Sequence, residues 1–542
     1  MLSASLIFST NGHQLWLLLG AILVIPLLTI FYDLRRWYRM APGPTPIPFV
    51  GNTQLPKRSP WIQFQEWSRT YGPIFTIWIG RRPTIIISDP VVAAELLEKR
   101  SSKYSSRPRM VAMGEIYWQN SSVLVQPYGK EWSVRRKLLH HALTPSALRL
   151  YKPVQEAEAS RLCYQLLHNP TNWKKLIERF TSSVVFCVSY GHRIDSLSAE
   201  VIRKRFEFMH YSASLNVPGK YLVESFPLLK FVPNFFAPWK REIQERGQLE
   251  AAENLKLVDV VKKDLAQAQT RGDEDTVPDS LCKLLLDLRS KEHIPLSDRD
   301  FSFIPASLFG AGSDTTASTL CSAFLAIVTH PQTLSTAQVE LDAVVGPDRT
   351  PTFADEASLP YLRALVKEVL RWRPVAVLGG TPHASTEDDV YEGYHIPAGT
   401  TVLGNSWAIN LNEDYCPKPH LFEPLRFLSS PKALAELGLQ PEKTHPARAG
   451  HSSFGWGRRI CPGADLAANS LFVALARTMW GFDIRPIEGV EYDIFAYTEG
   501  FNIRPRKFEC VIEVRSEAHQ KVMVREQRVA EGVLERFTAF RE

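Results

Sequence analysis

The chain has 542 residues, and Cys461 is the one best placed to do chemistry. It lies in Phe454-Gly455-Trp456-Gly457-Arg458-Arg459-Ile460-Cys461-Pro462-Gly463. Zinc and iron–sulfur sites draw on several thiolates at close spacing. Here the other cysteines (Cys163, Cys187, Cys282, Cys321, Cys416, Cys510) are scattered, and none forms a C-x-x-C pair. A lone thiolate that binds a metal shares it with ligands from outside the protein, and haem is the obvious source. Glycines in the loop allow close approach to a flat macrocycle and can turn amides toward sulfur. Arg459 is suited to a carboxylate such as a haem propionate. The bland alternative is a buried structural cysteine ahead of a helix.

Three further spacings stand out. Ala311-Gly312-Ser313-Asp314-Thr315-Thr316 places an acid beside hydroxyls inside the long apolar pattern 301–328. Its bland reading is a tolerated polar patch with hydroxyls bonding back one turn. Glu368 and Arg371 are three apart and share a helix face, a spacing common to surface ion pairs of small value. Trp132 and Arg136 are four apart, which alone describes an ordinary aromatic-basic helix face.

Together these segments resemble the cytochrome P450 family. The cysteine loop matches Phe-x-x-Gly-x-Arg-x-Cys-x-Gly at Phe454, Gly457, Arg459, Cys461 and Gly463. The segment 311–316 matches the distal-helix pattern. Phe422-Glu423-Pro424-Leu425-Arg426-Phe427 matches the family's Phe-x-Pro-Glu-Arg-Phe except that Leu425 replaces glutamate. The motifs follow the family's order over about residues 40–510.

The resemblance implies a mainly α fold with minor β, and a single large haem domain over 53–515. It implies haem b with Cys461 as axial ligand to the iron, and Trp132, Arg136, Arg459, Phe454, His383, Arg107 and Ala311 around the cofactor. It also implies a Glu368–Arg371–Arg426 structural triad. Asp314 and Thr315 would deliver protons during dioxygen activation, Gly312 leaving room for dioxygen and the Thr315 hydroxyl staying free of the helix. Electrons would come from NADPH–cytochrome P450 reductase, with cytochrome b5 a further candidate donor, because no flavin-binding stretch is visible. Two rival classes are a haem-thiolate isomerase or dehydratase that needs no reductase, and a non-catalytic haem protein. The segments around 105–108, 310–319 and 381–383 resemble fungal enzymes of the O-methylsterigmatocystin oxidoreductase type, which implies tailoring of a secondary metabolite. The segments that would contact substrate are mostly apolar (Val375, Ala376, Val377, Leu378 and Phe501 among them), which suits a lipophilic small molecule.

These residues need elements to position them. Residues 73–88 read as two short strands around a Gly-Arg-Arg turn. Residues 90–265 read as mostly helical, and helical periodicity returns near 297–329, 333–345 and 361–373. Short strands are expected near 389–402, a mobile polar loop at 268–280, and a solvated charged tail at 516–542. The composition is ordinary globular, 45% hydrophobic and 22% charged, and the net charge of +6 carries no basic run that argues for nucleic acid. Scattered cysteines fit a reducing compartment. Leu15–Tyr32 has no charge and would span about 27 Å as a helix, enough for a transmembrane anchor after a short lumenal stretch 1–14. Arg35, Arg36 and Arg39 follow it, which puts the body in the cytosol on the endoplasmic reticulum membrane. A basic and proline-rich hinge over 33–52 would join anchor to body.

Overall fold

The structure, a computed structural model, describes residues 24–217 and 219–540. Residues 24–39 form helix α1, followed by α2 (Pro60–Tyr71), strands β1 (Ile74–Ile79) and β2 (Arg82–Ile87), and α3 (Lys130–His141). Then come α4 (Pro145–His168), α5 (Trp173–Tyr190), α6 (Glu200–Leu215), α7 (Pro238–Arg271) and α8 (Leu281–Lys291). The helix α9 (Asp298–Thr329) leads to α10 (Gln332–Val344) and α11 (Pro360–Trp372). Strands β3 (His383–Ala384), β4 (Asp389–Tyr391), β5 (Tyr394–Ile396) and β6 (Thr401–Gly404) precede α12 (Ala464–Gly481), β7 (Phe482–Arg485), β8 (Val511–Val514) and α13 (Glu517–Leu534).

Helix α9 is the axis of the molecule. Its start is fixed by Ser297, whose side chain accepts from the Asp300 amide, with Asp298 and Asp300 complementing the positive end. Beyond Thr316 nearly every side chain to Val328 is buried, so this half is hydrophobic all round, as a core helix must be. It packs along α5, and the Trp173 and Phe324 rings stack at 4.8 Å. The largest apolar cluster joins these helices to α4, α11 and α12 around Trp372 and Trp480.

The main sheet has the order β1-β2-β6-β3. β1 and β2 are antiparallel, β2 and β6 parallel, and β6 and β3 antiparallel. The register that sets Ile85 opposite Val402 also sets His383 opposite Val402, so the sheet delivers His383 to the site.

Four sequence expectations change. Helix α1 runs on to residue 39 and takes in Arg35, Arg36 and Arg39, which had been assigned to the hinge. The proline stretch after it is not a free link. The Thr76 amide donates to the Pro42 carbonyl at 2.9 Å, and a Cβ on Gly43 would stand 1.9 Å from the Thr76 carbonyl oxygen. The loop expected at 268–280 is shorter, because α7 continues to Arg271 and ends at Gly272 in the left-handed region.

The fourth change is the tail. Residues 517–534 form α13, which packs on α4 and buries Val522, Met523, Ala530 and Leu534. The spacing of those four residues, i, i+1, i+8 and i+12, keeps them on one face despite the high charge of the segment. Beyond it the chain is held to the body by Arg193, whose guanidinium donates to the Leu534 carbonyl at 2.7 Å. Of the transmembrane segment expected at 15–32, residues 15–23 lie outside the described residues. Among the described residues no helix is long and apolar enough to cross a membrane.

Because α13 is part of the core, Leu534→Ala is expected to destabilise the folded protein by about 2–5 kcal/mol. Thermal unfolding of the purified protein measures it, and an unchanged midpoint would return 516–542 to the status of a solvated tail.

Candidate functional site

The Cys461 loop is closed on itself by the Cys461 amide, which donates to the Phe454 carbonyl at 2.8 Å. Trp456 is buried against β6, where a Cβ on Gly404 would fall 2.3 Å from its ring. Gly457 has φ of 53°, and a Cβ there would meet the Leu97 carbonyl oxygen at 2.2 Å. This glycine therefore serves packing against the chain's own backbone. Around Gly455 and Gly463, by contrast, the space is open. Cys461 is the one exposed cysteine among the seven. The surrounding protein pushes its thiol pKa up, and a hydrogen bond from the Gly463 amide and the charge of Arg136 act the other way.

Next to this loop stand four cationic or basic side chains. The Arg459 guanidinium donates to the carbonyls of Ser105 and Gln126, each at 2.7 Å, and lies 4.2 Å over the Trp132 ring. Arg107 donates to the carbonyls of Thr381 (2.7 Å), Pro382 (3.0 Å) and Leu124 (3.1 Å). Arg136 donates to the Ile460 carbonyl, one residue before the cysteine. His383 shares a 2.8 Å hydrogen bond between Nδ1 and the Tyr104 carbonyl.

Among the described residues no carboxylate pairs with Arg107, Arg136 or Arg459, although thirty-six ion pairs occur elsewhere. Burial, and then repulsion from Arg107 and Arg136, pushes Arg459 down to about 8. Burial and Arg136 push Arg107 down to about 9. His383 is pushed down to about 3 by burial and by Arg107. Buried charges are ordinarily paired, so this cluster has the chemistry of a receptor for a dianion. The two propionates of a haem fit it, and the exposed sulfur of Cys461 fits the iron.

Helix α9, which packs on α3 and α12, carries the second group of candidate residues. Between Phe301 and Val328 the positions not fully buried are Ser307, Gly310, Ala311, Gly312, Asp314 and Thr315, and all of them but Gly312 fall at i, i+3, i+4, i+7, i+8, a single stripe. Ala311 is the most open of them. Two sequence readings are corrected here. Gly312 does not leave room for dioxygen, because a Cβ on it would meet Val185 Cγ2 of α5 at 2.8 Å. It permits close helix crossing. The Thr315 hydroxyl is not free of the helix either, since it donates to the Ala311 carbonyl at 2.7 Å. Its oxygen keeps lone pairs with which to accept.

Asp314 is bound to partners the sequence did not reveal. Its carboxylate accepts from the Arg504 guanidinium and from Asn502 Nδ2 at 3.3 Å. Arg504 also pairs with Glu178 of α5 at 2.5 Å. Burial works against the Arg504 charge, yet Asp314 and Glu178 hold its pKa above the ordinary arginine range. No spacing could have announced these partners, which lie 188 and 190 positions from Asp314.

Away from the stripe, Glu368, Arg371 and Arg426 come together. Arg371 donates twice to Glu368, at 2.7 and 2.8 Å, and Arg426 Nε lies 3.5 Å from the same carboxylate. Glu368 is fully buried. Leu425 packs at the edge of the main apolar cluster. The carboxylate of Glu423 accepts from the Leu425 amide at 3.1 Å and caps that turn.

The family model for Cytochrome P450 matches residues 41–511. A cytochrome P450 monooxygenase of Armillaria gallica is 34% identical over 528 residues, covering 96% of this chain and 98% of that protein. Cytochrome P450 monooxygenase 58 of Postia placenta is 35% identical over 515 residues, covering 94% of each. A zebrafish cytochrome P450 structure, solved with abiraterone, superposes with a TM-score of 0.65 at 23% identity, over 84% of this chain and all of that one.

The reassignment of Gly312 gives a direct test. Gly312→Ala is expected to cost about 1–3 kcal/mol of stability through overpacking, and Val185→Ala in the same chain is expected to restore most of the loss. Thermal unfolding of both variants measures this. If Gly312→Ala unfolds like the parent but turns over poorly, the oxygen-room reading is right after all.

Proposed function

Since the chain belongs to the cytochrome P450 family, whose members are haem-thiolate monooxygenases, we propose that it oxidises a lipophilic small molecule, by hydroxylation or a related oxidation, as a tailoring step in secondary metabolism. The observation that carries the site assignment is a set of carboxylate-free guanidinium groups, Arg107 buried and Arg136 and Arg459 half-buried, beside the one exposed cysteine. Haem b is the cofactor of this reading, and bound there it supplies the activation of dioxygen with electrons from a separate reductase. NADPH–cytochrome P450 reductase is the proposed donor.

The chain's own residues divide the work. Cys461 offers its thiolate to the iron, and the Gly463 amide and Arg136 favour the charged sulfur. Arg107, Arg136, Arg459 and His383 hold the propionates, with Trp132 bracing Arg459 from the face of its ring. Ala311, the most open residue of the α9 stripe, would border the space that a bound haem faces. Asp314 holds a proton-exchanging carboxylate just outside that space, and Arg504 fixes its direction. The Thr315 oxygen is left able to accept a hydrogen bond from a water there, while its own hydroxyl proton is donated to the Ala311 carbonyl. Leu378 and Phe501 add apolar surface on the segments that the family uses for substrate.

The protein is proposed to sit on the endoplasmic reticulum membrane through residues 15–32, with the body in the cytosol. The charge-free run and the arginines after it support this reading.

Cys461→Ala is expected to abolish the carbonyl difference band of a thiolate-ligated haem, and a retained band would remove Cys461 from the iron. Thr315→Ala is expected to keep haem content while lowering the ratio of product formed to NADPH consumed, with the missing electrons recovered as hydrogen peroxide. Positioned proton transfer contributes about 10²–10⁴-fold in rate, so product formation should fall by at least tenfold. A parental ratio and rate in Thr315→Ala would end its role in proton delivery.

A further inference from the structure

Arg205 of α6 lies at the junction of α6, α7 and α9, with 11% of its side chain exposed. Its Nη1 donates to Glu250 and to Asn254 of α7, each at 3.0 Å, and its Nη2 donates to the Ala306 carbonyl of α9 at 2.6 Å. A guanidinium has five N–H groups to give. Three are used here, which leaves the one on Nε and the second on Nη2. Nε is buried without a partner, and so are the Asn254 amide nitrogen and the Tyr190 hydroxyl. A buried donor without an acceptor is destabilising, so a group of them points to an acceptor that arrives from outside the chain.

The two nitrogens with a spare hydrogen are also the two nearest the open stripe of α9. A Cβ on Gly310 would stand 3.4 Å from Nη2 and 3.9 Å from Nε. Gly310 carries no side chain to cover them, and it precedes Ala311, the most open residue of the stripe.

The charge of the cluster narrows what that acceptor is. Glu250 already neutralises Arg205, and its second oxygen accepts from the Trp118 indole at 2.8 Å. A carboxylate brought to Nε would lie near this buried carboxylate, and like charges repel strongly where water is excluded. A neutral carbonyl oxygen takes the same donors without that cost.

We propose that Arg205 is a specificity-determining residue that holds a neutral carbonyl oxygen of the substrate, a ketone, lactone or amide, beside Gly310. The substrate class is then a lipophilic molecule bearing such a carbonyl, and the hydrogen bond fixes which of its carbons faces Ala311. The inference rests on the monooxygenase reading above.

The test uses the holoprotein with three ketones, cyclododecanone, benzophenone and fluorenone, each beside its parent hydrocarbon (cyclododecane, diphenylmethane and fluorene). The spin-state shift of the haem gives the dissociation constants, and isotope-edited infrared spectra report the ketone C=O stretch. Arg205→Met strands the Glu250 carboxylate, so Arg205→Met/Glu250→Gln, which keeps an acceptor for Trp118, is measured beside it. Ketone affinity is expected to fall about 10–100-fold in the variants, the loss of a hydrogen bond from a charged donor. Hydrocarbon affinity and the carbon monoxide difference band are expected to hold. In the parent the C=O stretch should lie below its value in a hydrocarbon solvent, and a stretch at the solvent value overturns the anchor without any variant. So does an unchanged ratio of ketone to hydrocarbon affinity, or a parent that binds none of the ketones; in each case an intact difference band leaves the monooxygenase reading standing. Tighter binding of diphenylacetate than of benzophenone would make the ligand an anion and overturn the neutral assignment. A parent holoprotein without the difference band brings down the haem reading and the anchor with it.

Discussion

A carboxylate with no access to water has to be satisfied by its neighbours, and in this molecule that carboxylate is Glu368. Arg371 and Arg426 supply the charge and the Glu423 amide a further donor at 2.9 Å. Arg371 then spends its remaining donors on the carbonyls of Pro419 and Asn410, at 2.9 and 3.3 Å. Asn410 in turn holds Ser452 and Ser453 through its side chain, and the Ser453 hydroxyl returns to the Leu370 carbonyl at 2.6 Å. Ser453 is the residue before Phe454, whose carbonyl closes the cysteine loop. One buried charge thus reaches the ligand through a short series of hydrogen bonds. Removing either partner of such a pair costs far more than the pair itself stabilises, which makes the arrangement a device for placing Cys461 in one position.

The opposite electrostatic choice is made about the cofactor. Where Glu368 is over-supplied with cations, Arg107, Arg136 and Arg459 have carbonyls but no anion. Their repulsion is a cost in the protein alone, and a dianion removes it. The carbonyl contacts hold the guanidinium groups in place before the dianion arrives, so little side-chain order remains to be lost on binding.

The sequence was most informative where chemistry compresses into short spacing. The cysteine loop, the 311–316 segment and the Glu368/Arg371 pair could be recognised because helix and loop geometry bring near neighbours together. The strands at 74–87 and the long helices could be placed because their apolar periods are strong. What escaped was long-range. Asp314 meets Arg504 across 190 positions, and the burial of α13 depends on a face of α4 that composition does not display. Charge misled in the tail, since Lys521, Arg525 and Glu531 occupy the outer side of a helix whose inner side is apolar.

The two corrections within 311–316 alter how the motif should be understood. A glycine there was expected to serve oxygen and a threonine to stay free, both inferred from the chemistry the helix faces. The geometry assigns Gly312 to the crossing with α5 and ties the Thr315 proton to the Ala311 carbonyl. The same crossing is secured by Thr181 of α5, whose hydroxyl donates to the Ser313 carbonyl at 2.8 Å. With α5 pressed this close, Glu178 reaches Arg504, and Arg504 is then shared between a carboxylate of α5 and the one beside the stripe. The motif therefore does two jobs at neighbouring positions. Gly312 and Ser313 set the distance between two helices, and that distance determines whether the guanidinium that orients Asp314 is itself held in place.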